Sequence, residues 1–190
     1  TYIGTTGADT INGNGGADIL LGDAGADTID GGTGDDLVLG GTGADSLDGS
    51  DGNDIIGDND IFVENGVASP IADSNQDTLR GGAGDDFLLG GVSDVFIGGT
   101  GIDSAMIDLS TLLSSSVIDL TALNTGGTAT LPSSGSIASV EAIALILNNS
   151  SNTVLGSNAV EEIYGGTGLD WFNGGGGDDY LDGWTGNDTL

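Results

Sequence analysis

The chain has 190 residues; 38 are glycine and 30 are acidic, against one basic residue, Arg80, and no histidine or cysteine. A formal charge of −29 offers nothing to nucleic acid, and the lack of cysteine removes disulfides and thiol chemistry. No apolar run approaches the roughly 18 residues of a transmembrane segment, and a compact state with this much self-repulsion needs bound cations.

From Gly4 the chain reads as nine-residue units: GTTGADTIN, GNGGADILL, GDAGADTID, GGTGDDLVL, GGTGADSLD and GSDGNDIIG, ending at Gly57. The sixth place is Asp9, Asp18, Asp27, Asp36, Asp45 and Asp54; the eighth is Ile11, Leu20, Ile29, Val38, Leu47 and Ile56. Residues 58–71, with Pro70, interrupt the series. It resumes in ADSNQDTLR, which carries Asp77, then in GGAGDDFLL, the shortened GGVSDVFI and GGTGIDSAM, ending at Met106. Residues 107–146 lose the period and nearly all charge. The period returns in LNNSSNTVL and GSNAVEEIY and sharpens through GGTGLDWFN, GGGGDDYLD and GWTGNDTL. The expected organisation is a repeat block at 1–57, a loop excursion at 58–71, a block at 72–106, a strand-rich segment at 107–146 packed on the stack or continuing it, and a block at 147–190.

Each unit reads as a turn followed by a short strand. Glycines permit positive φ and close backbone approach, so six residues can bend back and turn their carbonyls inward. Three extended residues then point the eighth-place aliphatic inward and places seven and nine outward. Two units make an eighteen-residue coil, and about fifteen units make an all-β stack. With one inward aliphatic per half-coil, no coil is stable alone.

Turns on one edge of such a stack recur every eighteen residues, which aligns Asp9, Asp27 and Asp45 on one edge and Asp18, Asp36 and Asp54 on the other. Carboxylates mixed with backbone carbonyls suit calcium, which takes six to eight oxygens at flexible geometry; magnesium demands a tighter octahedron, and softer metals want the missing His or Cys. Calcium is therefore the expected cofactor. The acid pairs Asp35–Asp36, Asp85–Asp86 and Asp178–Asp179 read as one ligand beside one solvated carboxylate. No general base accompanies the serines of 110–151, so no enzyme is expected. Trp171, Phe172 and Trp184 read as a cover over the end of the aliphatic ladder.

The repeated GGxGxDxUx pattern resembles the RTX (repeats-in-toxin, haemolysin-type) calcium-binding nonapeptide family over about two thirds of the chain. IDLSTLLSSSVIDLTAL and SIASVEAIALIL are similar to the strand-rich interruptions between nonapeptide blocks of long bacterial RTX proteins. The resemblance implies a parallel β-roll, type I secretion in an unfolded state, and folding on extracellular calcium. It makes metal ligands of Asp9, Asp18, Asp27, Asp36, Asp45, Asp54, Asp77, Asp86, Asp103, Asp170, Asp179 and Asp188. Asn152 and Glu161 hold the sixth place without a glycine-rich turn, and Asp94 lies in a unit one residue short; none of these three is assigned metal.

Places seven and nine alternate in character. Ile19/Leu21, Leu37/Leu39 and Ile55/Gly57 would form an apolar outer face; Thr10/Asn12, Thr28/Asp30 and Ser46/Asp48 would form a polar one. Either an intervening segment or another subunit would cover the apolar face. Neither end shows a polar cap, as in a piece of a longer protein or in subunits that stack head to tail. The function expected is a secreted, extracellular calcium-binding structural protein, self-assembling into a surface layer, sheath or fibre. The alternatives are the repeat region of a type I-secreted toxin, protease or lipase, and a calcium-dependent surface adhesin.

Overall fold

The computed structural model describes residues 1–58 and 75–190, together with the backbone of Ile61–Glu64 and Val67–Pro70. The excursion read at 58–71 lies, apart from Asp58 and that backbone, outside the described residues; the two short strands pair antiparallel. Elsewhere the chain winds as a parallel β-roll. Places seven to nine of each unit form a short strand that hydrogen-bonds to the strand two units away, so consecutive units fall on opposite sheets. Thr28, Ile29 and Asp30 stand opposite Ser46, Leu47 and Asp48; Leu37, Val38 and Leu39 stand opposite Ile55, Ile56 and Gly57.

One sheet runs the length of the described roll and acts as its spine. Its nine strands are Tyr2–Ile3, Ile19–Leu21, Leu37–Leu39, Ile55–Gly57, Phe87–Gly90, Ser104–Asp108, Ala142–Ile146, Val160–Tyr164 and Tyr180–Asp182, all parallel. At about 4.8 Å per strand they span about 38 Å. The facing side is divided. Thr10–Asn12, Thr28–Thr33, Ser46–Asp51, Thr78–Ala83, Val95–Thr100 and Ser136–Ala138 form a parallel sheet closed by the antiparallel Thr128–Thr130. Val117–Asp119, Thr153–Leu155 and Trp171–Asn173 form a separate three-stranded sheet.

The two irregular segments are absorbed without breaking the spine. Across the excursion, the separation between paired residues widens from 18 to 32, and the stack continues directly from Ile55–Gly57 to Phe87–Gly90. Across 107–146 the spine strands lengthen to five residues, and the inward column moves by two. Ala105 pairs with Ile143, which pairs with Glu161, while Ile107 pairs with Leu145, which pairs with Ile163. A shift of two preserves side-chain parity; a shift of one would turn the core face outward. The facing sheet changes at this same point.

The core is one continuous ladder. Leu20, Val38, Ile56 and Leu88 from the spine meet Ile29, Leu47, Leu79 and Phe96 from the facing sheet, all essentially inaccessible to solvent. The aromatic cluster read near the C-terminus does not exist as a unit. Phe172 belongs to the core, Trp171 lies half-exposed on the outer side of the three-stranded sheet, and Trp184 stands exposed on a turn. The cause is strand alternation, which sends Trp171 and Phe172 to opposite faces.

Glycine is required where turns stack. Gly43 has φ 132°, and a Cβ there would run into the Gly25 carbonyl one coil away; a Cβ on Gly7 would meet nothing within 4 Å. Gly43→Ala should therefore destabilise the calcium-loaded fold by about 1–3 kcal/mol, and Gly7→Ala should stay within about 0.5 kcal/mol of the parent, as read by thermal melts in excess calcium.

Candidate metal centre: two carboxylate ladders

The turns stack along the two edges of the roll, and each sixth-place side chain becomes a rung. On one edge the backbone N–H of Asp9 donates to Oδ1 of Asp27 (2.8 Å), Asp27 to Asp45 (2.8 Å), Asp45 to Asp77 (2.6 Å) and Asp77 to Asp94 (3.1 Å). On the other, Asp18 donates to Asp36 (2.7 Å), Asp36 to Asp54 (2.8 Å), Asp54 to Asp86 (2.9 Å) and Asp86 to Asp103 (3.0 Å). The C-terminal block repeats the arrangement, with Asp170 donating to Asp188 (3.0 Å) and Glu161 to Asp179 (3.1 Å). All twelve aspartates expected from the sequence thus occupy equivalent places. Asp27, Asp36, Asp45, Asp54, Asp77, Asp86, Asp103 and Asp170 are buried; Asp9, Asp18, Asp179 and Asp188, in the outer coils, are half-buried.

The second carboxylate oxygen is where the chemistry lies. Oδ2 of Asp27, Asp36, Asp54, Asp86, Asp103 and Asp170 is buried with no hydrogen-bond partner. Such an oxygen is costly unless something positive reaches it. It faces a space that the first-place glycine leaves open. A Cβ on Gly31 would sit 2.6 Å from Asp36 Oδ2 and 2.7 Å from the Gly49 carbonyl oxygen; on Gly165, 2.7 Å from Asp170 Oδ2 and 2.9 Å from the Gly183 carbonyl. The nearest atoms around the gap between successive turns are thus a carboxylate oxygen and a carbonyl oxygen. An anionic space with oxygen donors of both kinds fits calcium.

Three rungs depart from the aspartate pattern. Glu141 accepts the Asp103 N–H through Oε2 (2.9 Å), so the longer side chain continues the ladder where the turn before it is short. Asn152 accepts from Ser116 N–H (3.1 Å), while its Nδ2 donates to the Asn148 and Ser150 carbonyls (3.1 and 2.7 Å) and to Asp170 Oδ1 (3.2 Å). There an amide nitrogen supplies the positive partner from within the chain. Glu161 lies in the inward column and is buried, with Ser157 donating to its Oε1 through both N–H (3.0 Å) and hydroxyl; its Oε2 has no hydrogen-bond partner.

Sequence reasoning missed Asp58. It occupies a first place where other units carry glycine, and it lies buried with Asp77 and Asp94, the carboxylate oxygens of all three within 4.8 Å of one another. The aspartate in a glycine position was the available signal. The shortened unit does not displace Asp94, whose Oδ2 accepts the Gly91 N–H (2.7 Å). The fifth-place acids are also more than solvated charges. Asp35 Oδ1 accepts the Asn53 N–H, Asn53 Oδ1 the Asp85 N–H, and Asp85 Oδ1 the Ile102 N–H (2.8–2.9 Å), an exposed ladder running opposite in sense to the buried one.

Burial perturbs the rungs. Desolvation, with nearby carboxylates adding to it, pushes Asp54 and Asp103 up to about 6 against the pull of the backbone hydrogen bond each accepts, and raises Asp86. Desolvation pushes Glu161 up to about 7, with Asp179 reinforcing it and Ser157 opposing it. An unfolded aspartate titrates near 3.9. Between about pH 4 and 6 the cation-free folded chain therefore holds more protons than the unfolded chain. Its stability is present below about pH 4 and is lost as the pH rises through about 6. With a chelator present, far-UV circular dichroism should show β-structure gained on acidification from pH 7 toward 4. The calcium needed to half-saturate the folded chain should rise as the pH falls below 6, because calcium must displace protons from the rungs, while the calcium needed to fold the chain should fall.

A family model of the RTX calcium-binding nonapeptide repeat matches the chain in four copies, at residues 1–29, 30–56, 71–105 and 155–190, about two thirds of its length. A search of curated proteins found no match. Repeats of this family bind calcium, are structural rather than catalytic in themselves, and are typical of secreted proteins. Among the described residues, no helix is long and apolar enough to cross a membrane. The oxygen-walled gaps, the partnerless buried carboxylate oxygens and the repeat match lead to one assignment: the chain belongs to the RTX calcium-binding nonapeptide repeat family.

Proposed function

We propose that this chain is an extracellular structural module that calcium folds into a rigid rod and that then assembles through its outer surface into a layer, sheath or fibre. Asp9, Asp18, Asp27, Asp36, Asp45, Asp54, Asp77, Asp86, Asp103, Asp170, Asp179 and Asp188 hold the ions between turns, and Asp58 and Asp94 join Asp77 at the base of the excursion. Binding energy is folding energy here, since the carboxylates converge only once the coils stack. An unfolded, calcium-free state suits export through a narrow secretion channel, and external calcium then drives the folding.

The observation that carries the assembly reading is the outer face of the spine sheet. Ile19, Leu37, Ile55 and Phe87 form one row on it, with Ile19 and Ile55 more than 40% exposed. The facing sheet presents Thr28, Ser46 and Thr78 in the equivalent row. A row of aliphatic and aromatic side chains at strand spacing favours burial against a second surface.

Sedimentation of the calcium-loaded chain tests this. Oligomers should form as concentration rises, and Ile55→Asp should abolish them while leaving calcium-induced folding intact; a parent chain that stays monomeric at high concentration contradicts the assembly reading. A second pair of variants tests the rungs. Asn152→Asp replaces an internal donor with another acid, so it should destabilise the calcium-free state and add one bound ion by calorimetric titration. Asp54→Asn should remove at least one.

A further inference from the structure

The second place of the last turn is anomalous. Where the units starting at Gly31, Gly40, Gly81, Gly98, Gly165 and Gly174 have glycine at positive φ, and others have the small polar residues Asn14, Asp23 and Ser50 there, this unit has Trp184 at φ 61°. A bulky side chain in that conformation is strained. Within this chain Trp184 is 68% exposed. Its backbone is held by the Asp182 carboxylate, which accepts the Trp184 N–H (2.8 Å). One coil away the equivalent residue is Gly166, and Gly166 and Trp184 together line a cavity of about 190 Å³.

The lining of that cavity is specific. Trp184 and Tyr164 contribute aromatic surface, Ile146 and Leu147 an apolar floor, and Ser110 and Asn149 a polar margin. Tyr164 packs against Tyr180 with ring centroids 5.8 Å apart and donates its hydroxyl to Glu162 Oε2 (3.2 Å). The charged groups around these rings are acidic: Glu162 and Asp182. Desolvation, the Glu162 hydrogen bond and the charges of Glu162 and Asp182 hold the Tyr164 phenol above its ordinary pKa, in keeping with a locally negative potential. The chain's single basic side chain, Arg80, is engaged elsewhere, with Asp48 on the facing sheet.

We propose that Trp184 and Tyr164 form a binding site for an organic cation, a quaternary ammonium group of the choline type. An aromatic face attracts such a cation through its quadrupole, and the trimethyl shell, unlike a calcium ion, gains from the apolar floor. The acidic rim and the overall negative charge raise the local concentration of cations. A neutral ring compound would gain the aromatic contact and none of the electrostatic one. The strained backbone at Trp184 is kept because the indole is presented to a ligand.

The test uses the calcium-loaded chain at about 150 mM salt, with choline chloride as probe and ligand methyl NMR as readout, and with indole fluorescence in a Trp171→Phe background. Choline should bind saturably in the millimolar range or tighter. Trp184→Gly, which restores the residue other units carry and relieves the backbone, should weaken binding more than tenfold without altering calcium-induced folding. The neutral isostere 3,3-dimethylbutanol should bind at least about tenfold more weakly than choline. The proposal is overturned if Trp184→Gly binds choline as the parent does, since the attraction is then diffuse. It is equally overturned if the neutral isostere matches choline, or if a neutral hexose saturates the site in preference to it.

Discussion

Rows of buried carboxylates at strand spacing are the constraint on which the rest of this molecule depends. From Asp27 onward, each sixth-place aspartate uses one oxygen to take the backbone N–H of the preceding coil, which fixes its position in the stack. The other oxygen is left buried and partnerless at Asp27, Asp36, Asp54, Asp86, Asp103 and Asp170. Neighbouring rungs repel one another in a poorly solvated space, and the core opposite them is only one aliphatic wide per half-coil. The stack therefore needs a cation in every gap far more than a globular domain with a thick core would. The first-place glycines follow from this, since a Cβ on Gly31 would occupy the space between Asp36 and the Gly49 carbonyl.

The irregular parts obey the same constraint. Around the excursion the ladder steps directly from Asp45 to Asp77, 32 residues on, without losing a rung. Through 107–146 the spine strands pair without a gap, the inward column moves by two residues, and Glu141 reaches into the place of an aspartate. Asn152 is the instructive exception. Its amide donates to two carbonyls and to Asp170, performing within the chain what a bound ion performs elsewhere. The stack tolerates changes in turn length, insertions and a change of facing sheet, provided that each rung has a positive partner.

Much of this was legible in the sequence because the repeat encodes it twice, once in the glycine–aspartate frame and once in the eighth-place aliphatic. The roll, its alternate sheets and the twelve rungs follow from counting by nine. What counting could not reach depends on three-dimensional partners. Asp58 stands at a first place, where glycine is the rule, but its partners Asp77 and Asp94 are brought to it only by the stacking of the coils. The ladder of Asp35, Asn53 and Asp85 depends on which backbone N–H lies beside each side chain, a detail of turn stacking with no periodic signature. Adjacent aromatic letters suggested a cluster at Trp171, Phe172 and Trp184, but strand alternation and the coil path separate them.

The central claim is that cations, rather than the apolar ladder, decide whether this chain folds. A far-UV circular dichroism titration with calcium at pH 7, run beside a magnesium control, tests it most directly. The account predicts little regular structure in chelator, a cooperative rise in β-signal with calcium, and no comparable rise with magnesium at the same concentration. A full β-spectrum in chelator at pH 7, unchanged by calcium, would contradict it.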